Sequence, residues 1–131
     1  MRKQPLIFIV DDDLLVQKLI DVELRSIKIE SMCFDYGEDC LNELSLRPDL
    51  IILDYIFVKG STPVLGGLEI LRKIREYDEH VPVIILSGQD SGNAVLDLIK
   101  LGIEEYIIKD KNFLGRLKEA VLSALTPDST S

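Results

Sequence analysis

Five short strand-like runs, Leu6 to Val10, Ser31 to Phe34, Leu50 to Leu53, Val83 to Leu86 and Glu105 to Ile108, alternate with longer stretches in which apolar residues recur every three or four positions. Runs of four or five residues are too short for core helices. Their regular alternation with segments of helical period is the pattern of repeated βα units around a parallel sheet. The central run, Leu50 to Leu53, carries no polar residue, so both of its faces need cover, as in a sheet between two helix layers. The chain therefore predicts an α/β fold. At 131 residues one core suffices, because a chain of this size buries about two-thirds of its extended surface. The expected organisation is a short lead over 1–5, one domain over 6–125 and a polar tail over 126–131 that frays.

The intervening segments predict five helices. Leu14, Leu15, Lys18, Leu19, Val22 and Leu24 mark a first helix over 14–26, with Asp13 as its cap. Cys40, Leu41, Leu44 and Leu46 mark one face of a second, which stops before Arg47 and Pro48. Leu68, Leu71, Ile74 and Arg75 begin a third behind Gly66 and Gly67. The fourth, near 92–101, turns Ala94, Val95, Leu98 and Leu101 inward, and Gly102 suits its C-terminal cap. Phe113, Leu117, Ala120, Val121 and Leu125 line the last. Cys33 and Cys40 lack a CxxC spacing and read as buried, reduced thiols.

Charge narrows the possible partners. Fifteen basic against 23 acidic residues give a net charge of -8, which repels a phosphate backbone, and no basic stripe compensates, so direct nucleic-acid binding is not expected. The apolar run after Pro5 is too short for a membrane span or a signal-peptide core, which predicts a cytoplasmic protein. His80, the only histidine, reads as a solvated turn residue, since one imidazole has no companion for a metal site or a triad.

The chemistry lies at the strand ends. Asp11, Asp12 and Asp13 follow the first run, Asp54 ends the third, Ser87 the fourth and Lys109 the fifth. In a parallel sheet these groups meet at the carboxyl edge, where ligands of open α/β sheets bind. Two carboxylates about 5 Å apart repel by roughly 3 kcal/mol at an effective dielectric near 20, so the cluster calls for a cation. Mg2+ suits it, because that ion takes one or two carboxylates together with waters and a phosphoryl oxygen; Mn2+ can substitute. Asp12 and Asp54 would bind the ion directly and Asp11 would orient a metal-bound water. A carboxylate so placed can become an aspartyl phosphate, with the Lys109 ammonium and the Ser87 hydroxyl on the phosphoryl oxygens.

Ile9 to Asp13, Leu53 with Asp54, Pro63 with Gly67, Leu68 and Glu69, Ile85 to Gly88, and Leu101 to Lys109 together resemble the receiver domain of two-component response regulators over residues 5–125. The resemblance implies a flavodoxin-like (βα)5 doubly wound fold of three layers, its parallel five-stranded sheet ordered 2-1-3-4-5. It implies an acidic pair at Asp11 and Asp12, the phosphoacceptor at Asp54, the Ile56 backbone carbonyl as a further metal ligand, Ser87 and Lys109 on the phosphoryl group, and a switch formed by Ser87 and Tyr106. It also implies a sensor histidine kinase or histidine phosphotransfer protein as donor, and an effector protein or a fused output domain as target. The surface of the fourth helix, fifth strand and fifth helix would carry the signal, or a homodimer contact. Such a chain is not an enzyme in the ordinary sense, though it assists its own phosphorylation and dephosphorylation.

Three departures from the family pattern stand out. Eight residues, Tyr55 to Thr62, separate Asp54 from Pro63, a longer loop than usual, which a surface connection absorbs at little entropic cost. Asp110 follows Lys109 where proline is usual, so a trans peptide is expected there. Gly88 stands where alanine is common. Two other readings compete. Asp11 and Asp13 form a D-x-D pattern similar to haloacid-dehalogenase-like phosphohydrolases, with Asp11 as nucleophile, but the chain has no room for their cap. A pseudo-receiver that binds partners without taking phosphate is the other.

Overall fold

The computed structural model describes residues 4–55, 66–88 and 92–126. The strands are β1 (Leu6–Val10), β2 (Glu30–Phe34), β3 (Leu50–Asp54), β4 (Val83–Ser87) and β5 (Glu105–Ile108); the helices are α1 (Leu14–Arg25), α2 (Gly37–Leu41), α3 (Gly67–Tyr77), α4 (Gly92–Leu101) and α5 (Phe113–Leu125). The strands form one parallel sheet in the order β2-β1-β3-β4-β5, as the resemblance implied. β1, β3 and β4 are buried throughout.

Residue parity along the strands sorts the core into two layers. Phe8, Val10, Ile51, Leu53, Val83 and Ile85 pack on one face with Cys40, Leu44, Ile70, Leu71, Ile74 and Leu98 from the α2, α3 and α4 side. Ile7, Ile9, Leu50, Ile52, Ile84, Leu86 and Ile107 pack on the other with Ile20 and Leu24 of α1 and Phe113, Leu117 and Val121 of α5. Among the described residues, no helix is long and apolar enough to cross a membrane.

Helix α1 has the expected start and cap and ends one residue early, at Arg25: the Asp13 carboxylate accepts from the backbone N–H groups of Leu15 (2.9 Å) and Val16 (3.3 Å). Of the residues that marked it in the sequence, only Leu24 faces inward. Leu14, Leu15, Leu19 and Val22 are 69%, 66%, 40% and 55% exposed, whereas Gln17, Ile20 and Leu24 are buried. Two stripes of helical period run along this segment, and the direction in which the chain leaves β1 through the Asp13 cap decides which one meets the sheet.

The second helix is also shorter than predicted. It ends at Leu41, and Leu44–Leu46 form a separate 3-10 turn that closes on Arg47 in the left-handed region, φ 55°. Pro48 keeps its predecessor out of the helical region, so the chain tightens its last turn instead of continuing the helix. Cys40 is buried as expected, but Cys33 is exposed, because β2 is an edge strand with incomplete cover.

Arg75 closes the opposite end of the sheet. Its guanidinium donates to the carbonyl oxygens of Leu101 (3.0 Å), Gly102 (2.6 Å), Val81 (2.8 Å) and Asp78 (3.2 Å). The C-terminal end of α4, where Gly102 takes φ 83°, is thereby tied to the turn that leads into β4.

Candidate functional site

Parity places the charged groups before any distance is measured. Asp11 continues the series Ile7 and Ile9, Asp54 the series Leu50 and Ile52, and Lys109 follows Ile107, so all three belong to the α1 and α5 side of the sheet. At the carboxyl edge they meet. The Lys109 ammonium lies 3.0 Å from Asp11 Oδ2 and 3.3 Å from Asp54 Oδ1. The other Asp11 oxygen accepts from the Asp13 backbone N–H at 2.9 Å. One carboxylate oxygen from each of Asp11, Asp12 and Asp54 lies within 4.8 Å of the other two; Asp11 and Asp54 are buried and Asp12 is half-buried at the rim.

The electrostatics reflect that crowding. Burial pushes the Asp11 carboxyl above the ordinary carboxylate range, against the lowering effects of the Asp13 N–H and Lys109, with the Asp12 charge pushing the same way as burial. Burial pulls Lys109 down, but the charge of Asp54 and the bond to Asp11 outweigh it, and the ammonium is held above its usual value. One lysine thus faces three carboxylates. The donors are all hard oxygens, crowded and only partly neutralised, which is the chemistry a small divalent cation fits.

Ser87 is buried at the end of β4, and its carbonyl accepts from the Lys109 N–H at 2.7 Å. Tyr106 pairs in register with Ile85 and is half-buried. Both have the parity of Val83 and Ile85, so they belong to the α3 and α4 side of the sheet, opposite the acid–lysine cluster. Ile56 and Pro63, with most of the long loop, lie outside the described residues. The described residues contain no cis peptide. Without a proline, the turn after Lys109 is held by Asp110, whose Oδ1 accepts from the Asn112 N–H (2.9 Å) and from Arg116 (2.7 Å).

Three features bear on the site that the sequence reading did not single out as functional. Gly67 donates its N–H to the Tyr55 carbonyl at 2.8 Å, and a Cβ there would lie 2.7 Å from Tyr55 Cα; the adjacent Gly66 and Gly67 were the visible signal. The Gln17 amide reaches the carbonyl of Asp11 and the carboxylate of Asp35, and a polar residue on a buried helix face was its only trace. The exposed stripe of Leu14, Leu15, Leu19 and Val22 starts two residues beyond Asp12, beside the rim.

Comparison with known proteins agrees with this architecture. The family model described as "Response regulator receiver domain" matches residues 7–121. The Regulator of RpoS of Escherichia coli is 30% identical over 122 residues, which cover 92% of this chain and 35% of that protein; the chain spans only about a third of that relative's length. A response regulator receiver protein from Pseudomonas putida is 26% identical with a TM-score of 0.80, the match covering 94% of this chain and 99% of the other. The Vibrio cholerae chemotaxis protein CheY4, 20% identical, shares the fold with a TM-score of 0.81 over 93% of this chain and 99% of the other.

Proposed function

The chain belongs to the response regulator receiver domain family, a family of signalling domains rather than enzymes, and from that premise we propose that Asp54 accepts a phosphoryl group from a histidine kinase or a histidine phosphotransfer protein in a Mg2+-dependent reaction. One observation carries the reading: Asp11, Asp12 and Asp54 crowd together, and Lys109 bridges the two buried members.

Asp11, Asp12 and Asp54 would hold the ion, which when bound supplies positive charge for the incoming phosphoryl oxygens. An Asp54 carboxylate oxygen forms the new bond to phosphorus as the bond from phosphorus to the donor imidazole nitrogen breaks. Lys109, already 3.3 Å from Asp54 Oδ1, moves its charge onto a phosphoryl oxygen. The Ser87 hydroxyl donates to another oxygen. Because Ser87 and Tyr106 share one side of the sheet, a shift at Ser87 has a packed route to Tyr106 and to the surface of α4, β5 and α5. Reversing a 1:99 equilibrium there takes about 5.5 kcal/mol, and new charge-assisted hydrogen bonds are of the right kind to contribute.

The surfaces support protein partners. The donor would seat on the exposed α1 stripe, which starts at the mouth of the cluster. An effector, a fused output domain or a second copy would cover Leu96, Ile99 and Leu122, which are exposed on α4 and α5. The domain occupies 6–125 and acts in the cytoplasm, where such kinases present their phosphohistidine.

Treatment with a small-molecule phosphodonor and Mg2+, followed by trapping of the acyl phosphate and mapping, tests the reading. Label at Asp54, absent in Asp54→Asn, is the expected result. Label at Asp11 would mean a phosphohydrolase. No label would mean a pseudo-receiver.

A further inference from the structure

We propose that Gln17 is a positioning residue for the cation site, acting through the Asp11 backbone in partnership with Asp35. The inference rests on the reading of the acidic cluster as a divalent-cation site. Gln17 lies on the inward face of α1, and its described side-chain hydrogen bonds reach none of the carboxylates that would bind the ion. Its Nε2 donates at 2.5 Å to the carbonyl oxygen of Asp11 and at 2.9 Å to Asp35 Oδ1, just after β2. Both partners are pure acceptors, so only the NH2 end of the amide can face them, which fixes its orientation. Its backbone N–H donates to the Asp13 carbonyl at 3.0 Å.

The Asp11 carbonyl belongs to the peptide that joins Asp11 to Asp12. Holding that oxygen sets the tilt of the peptide plane, and with it the direction in which Asp12 leaves the backbone. The Asp11 side is anchored separately: its N–H donates to Phe34 O at 3.0 Å and its Oδ1 accepts from the Asp13 N–H. Asp12, half-buried at the rim, has no comparable anchor on its own side chain among the bonds described. Gln17 therefore supplies the constraint that keeps the Asp12 carboxylate within reach of Asp11 and Asp54. Asp35, exposed and outside the cluster, keeps the amide extended between the β1–α1 and β2–α2 turns. Outer groups that orient a metal-binding residue typically change affinity by about 10- to 100-fold when lost.

The test is Mn2+ binding, followed through the spectrum of the free aquo ion, together with thermal unfolding in the absence of metal. Wild type should bind Mn2+ and Asp54→Asn should bind it much more weakly; if wild type binds none, the cation-site reading itself fails. Gln17→Met keeps the side-chain volume and loses both hydrogen bonds, and is expected to weaken Mn2+ binding about tenfold. Asp35→Asn and Asp35→Ala both remove a charge, but only the first keeps an acceptor oxygen. Asp35→Ala should therefore bind more weakly than Asp35→Asn, and the pair Gln17→Met with Asp35→Ala should bind no more weakly than Gln17→Met alone. A merely structural Gln17 would lower the melting temperature and leave the Mn2+ affinity of the folded protein unchanged, and that result would overturn the inference. Should Gln17→Met not fold, the two Asp35 variants decide: equal Mn2+ affinity refutes the proposal.

Discussion

Gly66 and Gly67 are neighbours in sequence, and alanine should act very differently at the two. A Cβ on Gly67 would lie 2.7 Å from Tyr55 Cα and 2.8 Å from Tyr55 O, both backbone atoms, and 3.1 Å from Asp54 O. Comfortable carbon–carbon contacts fall near 3.5–4.0 Å, so β3 and α3 must separate by about 1 Å, and no flexible side chain can yield instead. Overpacking of this kind costs about 1–3 kcal/mol. Lengthening the bond from Gly67 N to Tyr55 O, now 2.8 Å, costs about 1 kcal/mol more. Alanine's higher helix propensity returns about 1 kcal/mol, leaving a net loss of about 2 kcal/mol. At Gly66 no atom lies within 4 Å of the added carbon, and its φ of -77° suits any residue. The weaker helix cap and the less flexible unfolded chain then nearly cancel, so Gly66→Ala should stay within about 0.5 kcal/mol of wild type. Urea unfolding decides the matter: with a slope of about 2 kcal/mol per molar, the Gly67→Ala midpoint falls by about 1 M. Equal midpoints for the two variants would refute the claim that α3 is seated directly on the backbone that follows Asp54.

Gly115, exposed inside α5 with open space where a Cβ would stand, should gain about 0.5–1 kcal/mol on replacement by alanine, measured by the same unfolding. Replacing Lys109 by methionine leaves two buried carboxylates without their shared cation and should cost about 3 kcal/mol; Mg2+ should recover part of the loss, and a loss independent of Mg2+ would contradict the reading of the cluster. Asp21 is held below its usual pKa of 3.8 by hydrogen bonds from Arg25 and Ser31. A lowered folded pKa contributes stability above pH 3.8 that is lost as pH falls through the folded value, so the stability gap between wild type and Asp21→Asn should close on acidification below that pH. Burial pushes the Cys40 thiol up to about 12, whereas Cys33, though raised by partial burial and by Asp21 and Asp35, is exposed. Iodoacetamide near pH 8 should therefore modify Cys33 first and reach Cys40 only after unfolding, as peptide mapping would show.

Much of this protein is local information. Strand and helix periods, the Asp13 cap, the Gly102 terminus and the placement of Asp11, Asp54, Ser87 and Lys109 at strand ends follow from residue type and spacing, because backbone preference and solvent sorting act within a few positions. Even the split between the acid–lysine cluster and the pair Ser87 and Tyr106 is contained in strand parity. Other features needed the folded chain. Two apolar stripes on α1 satisfy the same helical period, and only the exit from β1 chooses Gln17, Ile20 and Leu24 for the interior. The second helix yields to the geometry imposed by Pro48, and Cys33 is exposed because its strand has no neighbour on one side. The bonds from Gln17 to Asp35, from Arg75 to Leu101 and from Lys109 to Asp11 span 18, 26 and 98 residues. Periodicity carries no signal over such separations; these partners are set by how the strands are ordered in the sheet, and that order is a property of the whole chain's packing.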